Sequence, residues 1–158
     1  NDKPVTLAFL FAALLWYPFV EDKIQLEEAG ITHVEASHEA SANVIANQQL
    51  FTSIPRRFSG PMRDIWNLQF RLPIRHSRKP EILLSHKRFR AAYDFLLLRE
   101  DSGEKLDGLG QWWTEYQEAD ETTRDKLKHQ PTHKKKKPKR RRRNRANKNG
   151  VNTNTSQP

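Results

Sequence analysis

Arg63, Asn67 and Arg71 stand four residues apart, so on a helix they share one face: two guanidinium forks with an amide between them. Guanidinium groups bind phosphate oxygens bidentately and keep their charge at any ordinary pH, which suits such a face to a phosphodiester backbone. The same three residues would serve as a solvated helix face with an arginine paired to an internal acid. Arg56, Arg57, Arg75, Arg78 and Lys79 fall at expected helix ends, where side chains can converge, and Lys87, Arg88 and Arg90 follow. The window from Arg56 to Arg90 thus holds ten basic residues against Asp64 and Glu81, a net +8. It is also rich in large apolar residues, so it reads as folded chain rather than a solvated tail.

A second basic block is of another kind. Lys134, Lys135, Lys136, Lys137, Lys139, Arg140, Arg141, Arg142, Arg143 and Arg145 stand in a stretch with almost nothing apolar and no acid. Such a run attracts any polyanion by releasing its counterions, which gives affinity and salt dependence without reading sequence. Equipment for catalysis is absent from the motifs: there is no G-x-x-x-x-G-K-[ST] loop, no complete G-x-G-x-x-G and no H-E-x-x-H helix. Glu118 and Asp120 have one residue between them but lie in an acidic, soluble-looking stretch. The histidines (His33, His38, His76, His86, His129, His133) lack ligand spacing and read as exposed or capping residues. No catalytic residue and no metal ligand is assigned. The chain has no cysteine, which excludes disulfides, thiolate zinc sites and cysteine nucleophiles and suits a reducing compartment.

The elements that must position these residues read as helices throughout, since no stretch alternates with period two for long. Ala8 to Tyr17 is apolar almost all round and predicts a buried helix, stopped or kinked by Pro18. Val5 to Val20 is too short, at sixteen residues, for the roughly 20 that cross a bilayer, so no membrane span is expected. Asp22 to Ala29 predicts a short acidic helix closed by Gly30, and Val34 to Phe51 an alanine-rich one with Val44, Ile45 and Leu50 inward. Ser53 and Pro55 can start a turn, and Ser59 with Pro61 the helix that carries Arg63, with Met62, Ile65, Trp66, Leu68, Phe70 and Leu72 on its apolar side and Pro73 at its end. Pro80 to Leu84 and His86 to Glu100 follow, the latter with Phe89, Ala92, Tyr93, Leu96 and Leu97 as core stripe and an Arg90–Asp94 pair outside. A last helix runs from Leu106 through Leu109, Trp113 and Tyr116, weakened by Gly108 and Gly110. Trp112, Trp113 and Tyr116 read either as core or as a platform for stacked bases.

The blocks IPRR (Ile54 to Arg57), RDIWNLQ (Arg63 to Gln69) and RFRAAYDFLLLR (Arg88 to Arg99) resemble the C-terminal body of bacterial poly(A) polymerases. The likeness continues in AFLFAALLWYP (Ala8 to Pro18) and QWWTEYQ (Gln111 to Gln117), and an arginine-rich tail is a feature of the same family. The resemblance implies an RNA-binding helical body from a cytoplasmic enzyme that adds AMP from ATP to RNA 3′ ends with divalent metal. The Gly-Ser and Asp-x-Asp pair with which that family holds metal and nucleotide does not occur here, so ATP and magnesium would belong to a catalytic head this chain lacks. A fragment of a CCA-adding enzyme is the nearest alternative, and a non-enzymatic basic packaging protein is one from another class.

The expected organisation is therefore an all-α, irregular helical body over residues 1–129 and a disordered basic tail over 130–158. Residues 1–55 carry a net −5, Ala91 to His129 another −5 and the tail +11. The opening residue, Asn1, points to a fragment, with apolar surface on Phe9, Phe11 and Trp16 left uncovered. Single-stranded RNA is the expected partner.

Overall fold

The computed structural model describes residues 6–129. Among them are eight helices and no strand: α1 (Leu7–Leu14), α2 (Trp16–Glu28), α3 (His33–Gln49), α4 (Arg56–Arg71), α5 (Lys79–Leu84), α6 (Phe89–Asp101), α7 (Leu109–Glu118) and α8 (Glu121–His129). The all-α expectation holds. The expectation of a disordered tail, and the tail cations from Lys134 to Arg145, lie outside the described residues.

Helix α4 is strongly two-sided, and the rest of the chain is arranged on its apolar side. Met62, Ile65, Trp66, Leu68 and Gln69 are buried, while α1, α3 and α6 pack against the helix. It joins two cores. The first gathers Ala12, Trp16, Phe19, Val44 and Ile45 around Met62, Ile65 and Trp66; Trp66 stacks on Phe19 at 4.5 Å, and its ring N–H donates to the Ala12 carbonyl at 2.9 Å. The second holds Leu68, Leu72, Leu83, Phe89, Tyr93, Leu96, Trp113 and Tyr116. There Trp113 donates to the carbonyl of Leu72, the residue that caps α4, at 3.1 Å, satisfying one of the acceptors a helix end leaves open.

The two cores meet at Gln69. Its amide donates to the Ala92 carbonyl at 2.9 Å and accepts from Arg99 at 3.1 Å, while Arg99 forms a fork on Glu104 and lies 4.6 Å over the Trp16 ring. A buried amide left unpaired would cost about 1–3 kcal/mol, so this network fixes α4 against α6.

Several boundaries differ from the expected ones, each for a local reason. Pro18 does not stop the first helix; the break falls at Leu15, and Pro18 sits in the first turn of α2, where an amide hydrogen has no helical partner to lose. The acidic helix expected from Asp22 is the second half of α2. It closes as expected at Gly30 (φ +94°), with Gly30 and Ile31 donating to the Glu27 and Leu26 carbonyls at 3.0 Å. Thr32 then caps α3 through its hydroxyl, completing a tight α2–α3 hairpin. Because α3 ends at Gln49, Val44 and Ile45 are inward but Leu50 is 79% exposed, against expectation. Helix α4 begins at Arg56, not at Ser59, and carries Pro61 inside it. Its end before Pro73 is as expected.

Further along, α6 begins at Phe89 instead of His86, whose ring accepts the Arg88 amide hydrogen at 3.1 Å. Phe95 is buried and Leu97 only half so. The expected last helix is α7, which begins at Leu109 instead of Leu106, and an unexpected helix, α8, follows it, with Asp120 capping α8 by accepting from the Thr123 amide at 2.9 Å. The two glycines have uses: Gly108 caps α7 at φ +67°, and a Cβ on Gly110 would fall 2.7 Å from Leu97 and collide with the Glu100 carboxylate, which accepts the Gly110 amide hydrogen. Trp112, Trp113 and Tyr116 are buried, so they are core and no stacking platform. Trp16 is buried and Phe9 and Phe11 partly so; the uncovered apolar residues of that region are Leu7, Leu10, Leu14 and Tyr17.

Candidate nucleic-acid interface

Arg56, Arg63, Asn67 and Arg71 are spaced by seven, four and four residues, which keeps them on one stripe of α4 about 22 Å long at 1.5 Å per residue. That stripe faces α3. Two hollows follow it. One, of about 470 Å³, is lined by Arg56, Ser59, Gly60 and Arg63 from α4 and by Ala42, Ile45, Ala46 and Gln49 from α3. The next, of about 390 Å³, is lined by Arg63, Asn67, Phe70 and Arg71 with His33, Val34, Ser37, His38 and Ser41, and ends at Ile74. Arg63 stands between the two. Its Nε is buried without a hydrogen-bond partner, an unspent donor of the kind that folded proteins seldom leave.

On the α3 side the seam includes small residues, Ser37 and Ser41 in one hollow and Ala42 and Ala46 in the other. Ala36, Ser37, Ala40 and Ser41 recur at helical spacing, and all four are buried. This second wall went unpredicted from sequence, although the run of alanine and serine was the signal for it. Ser41 donates to the His38 carbonyl at 2.8 Å, which turns its hydroxyl inward along α3.

Electrostatics keep the stripe positive. Among the described residues, Arg56, Arg63 and Arg71 take part in no ion pair, and the first turn of α4 holds no acid. Glu27 of the α2–α3 hairpin is engaged elsewhere. Lys23, buried to 3% exposure, bonds Glu27 at 2.5 Å and lies 3.0 Å from the His33 ring and 4.7 Å from the centre of Phe70. Glu27 also contacts His33 at 2.8 Å. The Lys23 hydrogen bond holds the Glu27 carboxyl below its ordinary value, against a smaller opposing effect of burial. The cluster fixes His33 and Phe70 at the edge of the seam.

The other sequence candidates line neither hollow. Arg57 is exposed and folds over Phe58 at 4.9 Å. Arg75 is partly buried, 5.8 Å from the Trp112 ring; burial lowers its guanidinium pKa, and Asp107 offsets part of this. Arg78, Lys79 and Lys87 are exposed around α5, and Arg88 is partly buried with an unpartnered Nε. Arg90 is paired with Asp94 at 3.0 Å, the exposed i, i+4 pair expected from sequence, and lies over Tyr93 at 5.5 Å. Asp120, weighed earlier beside Glu118, is occupied in capping: hydrogen bonds from Thr123 and Thr122 lower its pKa. Among the described residues no three His, Asp or Glu side chains converge as metal ligands, so this part of the chain does not fit a two-metal centre. No described helix is long and apolar enough to cross a membrane.

These features define a small all-α domain with a one-sided cationic seam, followed in sequence by a basic tail. Residues 29–147 match the family described as polymerase A arginine-rich C-terminus, and the chain belongs to that family. It is 40% identical over 120 residues to poly(A) polymerase I of Escherichia coli O6:H1, a match that covers 74% of this chain and 26% of the relative. The corresponding protein of Salmonella typhi is 38% identical over the same shares, and that of Haemophilus influenzae 36% over 124 residues, 76% of this chain and 27% of the relative. The chain thus spans about a quarter of the length of the curated relatives it matches.

Proposed function

We propose that this chain is the RNA-holding part of a poly(A) polymerase, a cytoplasmic enzyme that adds AMP from ATP to RNA 3′ ends, with ATP and magnesium bound by a catalytic head outside this chain. What supports the reading is the stripe of Arg56, Arg63, Asn67 and Arg71 on an open seam, in a chain whose relatives carry that name. Unpaired guanidinium forks at regular rise offer bidentate sites to successive phosphates of a single strand. The tail, by its eleven charges, adds affinity that is blind to sequence. Incubated with ATP, magnesium and an RNA primer, the chain alone gives no extension; dose-dependent extension by pure protein would overturn that part of the reading.

The RNA-holding role is tested by Arg63→Gln with Arg71→Gln. Glutamine keeps helix propensity and some hydrogen bonding but removes charge and fork. Single-stranded RNA binding should weaken by about 1.5–3 kcal/mol per charge-assisted bond lost, with little change in melting. Unchanged binding would make the face a solvated one, and a large melting loss would make the arginines structural.

A further inference from the structure

The two hollows of the seam differ in their floors. Around Arg56 the lining is Ala42, Ile45 and Ala46 beside Gln49 and Ser59, whereas around Asn67 more apolar surface comes from Val34 of α3, Phe70 of α4 and Ile74 just beyond it. At about 390 Å³ the Asn67 hollow lies near the lower end of the roughly 300–1,000 Å³ of small-molecule sites. An apolar floor is of no use to a phosphate. It is suited to the face of a base.

Phe70 is held in place before any ligand arrives. The Lys23 ammonium lies 4.7 Å from its ring centre, the His33 ring meets it edge-on at 5.2 Å, and Trp16 packs at 5.9 Å. A ring fixed in this way costs little ordering on binding. Asn67 is exposed at the rim and takes no part in the hydrogen bonds of the neighbouring side chains. Its amide presents a donor and an acceptor side by side, the complement of the amino group and ring nitrogen on one edge of adenine. Arg63 and Arg71 lie one turn to either side, about 6 Å along the axis, where they can hold the phosphates that flank a base at Asn67.

We propose that this hollow takes one adenine base of a single-stranded RNA, read by the Asn67 amide against the Phe70 ring, with Arg63 and Arg71 on the flanking phosphates. The proposal rests on the RNA-holding reading above and adds a base preference to it. Cytosine and uracil present other patterns to the amide, and guanine would call for an arginine fork in its place.

The test uses the full chain and short uridine strands with a single central A, C, G, U or abasic position, measured by fluorescence anisotropy at fixed salt. The wild-type protein should bind the central-A strand about tenfold more tightly than the all-uridine strand, within the discrimination of one bidentate amide–adenine contact. Asn67→Leu should abolish that ratio, so that the central-A and all-uridine strands bind the variant equally. Arg63→Gln with Arg71→Gln should weaken every strand and leave the ratio intact. Equal binding of all strands by the wild type would overturn the adenine site, yet leave the RNA-holding role standing if the double arginine change still weakens them all. A central-A preference that survives Asn67→Leu, or a preference for G that disappears with Arg71, would also overturn it. Failure to bind any strand would remove both readings.

Discussion

The seam between α3 and α4 and the end formed by α6, α7 and α8 are both rich in cations, and they use them in opposite ways. At the α6–α8 end Arg99 is spent on Glu104, Gln69 and Trp16, with only 13% of its side chain exposed. Arg124 donates to the Tyr116 and Gln117 carbonyls at 3.0 and 3.2 Å, closing the C-terminus of α7. Lys128 bonds Glu81 and Asp125, both at 2.7 Å, and so fastens α8 to α5. On the seam, Arg56, Arg63 and Arg71 have no such partners among the described residues. Arginines that build the fold come with nearby acids and backbone acceptors; those without such partners among the described residues stand where the chain holds a surplus of positive charge. The +8 window and the −5 segment after it already marked this division.

The contrast can be broken or sharpened by mutation. Arg99→Ala should have the largest effect on the body, about 3 kcal/mol of stability, because it leaves Glu104 and the buried Gln69 without their partner. At this domain size that is a melting loss of about 10 °C, while RNA affinity of the folded protein stays at the wild-type value. Wild-type melting for the variant would show that the network is ordinary surface pairing. Gly110→Ala should cost about 1–3 kcal/mol by pushing into Leu97 and Glu100. A variant no less stable than the parent would mean that α6 and α7 can separate freely.

The Glu81 pair gives the spent end a pH dependence. Burial raises the Glu81 pKa, but hydrogen bonds from Lys128 and Tyr116 outweigh it and hold the carboxyl below its ordinary value. Folded Glu81 therefore binds a proton less readily than unfolded Glu81. Its contribution is present above the ordinary glutamate range and is lost as pH falls through the lowered folded value. Tyr116, pushed up to about 12 by burial and by Glu81, works in the other direction: its contribution is present below pH 10 and is lost as pH rises toward 12. In Glu81→Gln, thermal melts across pH should flatten at both ends; an unchanged profile would exclude the pair. The smallest effect is expected for Arg90→Gln, a few tenths of a kcal/mol, since the Arg90–Asp94 pair is exposed and spaced i, i+4.

Helix identity was legible wherever apolar spacing was strong, as in α4 and α6, and so was the face shared by Arg63, Asn67 and Arg71, but not that this face turns toward α3. Helix ends were less so. Pro18 and Pro61 were read as boundaries because proline disfavours the helix interior, but Pro18 lies in a first turn, and Pro61 lies inside a helix whose apolar face is strong enough to carry it. Gly108 and Gly110 looked like weakening residues because the close approach of Glu100 depends on α6 lying against α7. The opposite wall of the seam was hidden for the same reason: Ser37 and Ser41 acquire meaning only once α3 is placed beside α4.

Salt dependence of RNA binding in the full chain tests most directly whether the seam cations are unspent and those of the other end spent. For a single strand the slope of log affinity against log salt changes by about 0.7 for each phosphate contact removed. Changing Arg56, Arg63 and Arg71 together to glutamine should flatten the slope by about 2 units, with melting close to the parent. Changing Arg90 and Lys128 to glutamine should leave the slope where it was. Equal flattening by the two sets of changes, or none by the first, would contradict the division between seam and scaffold.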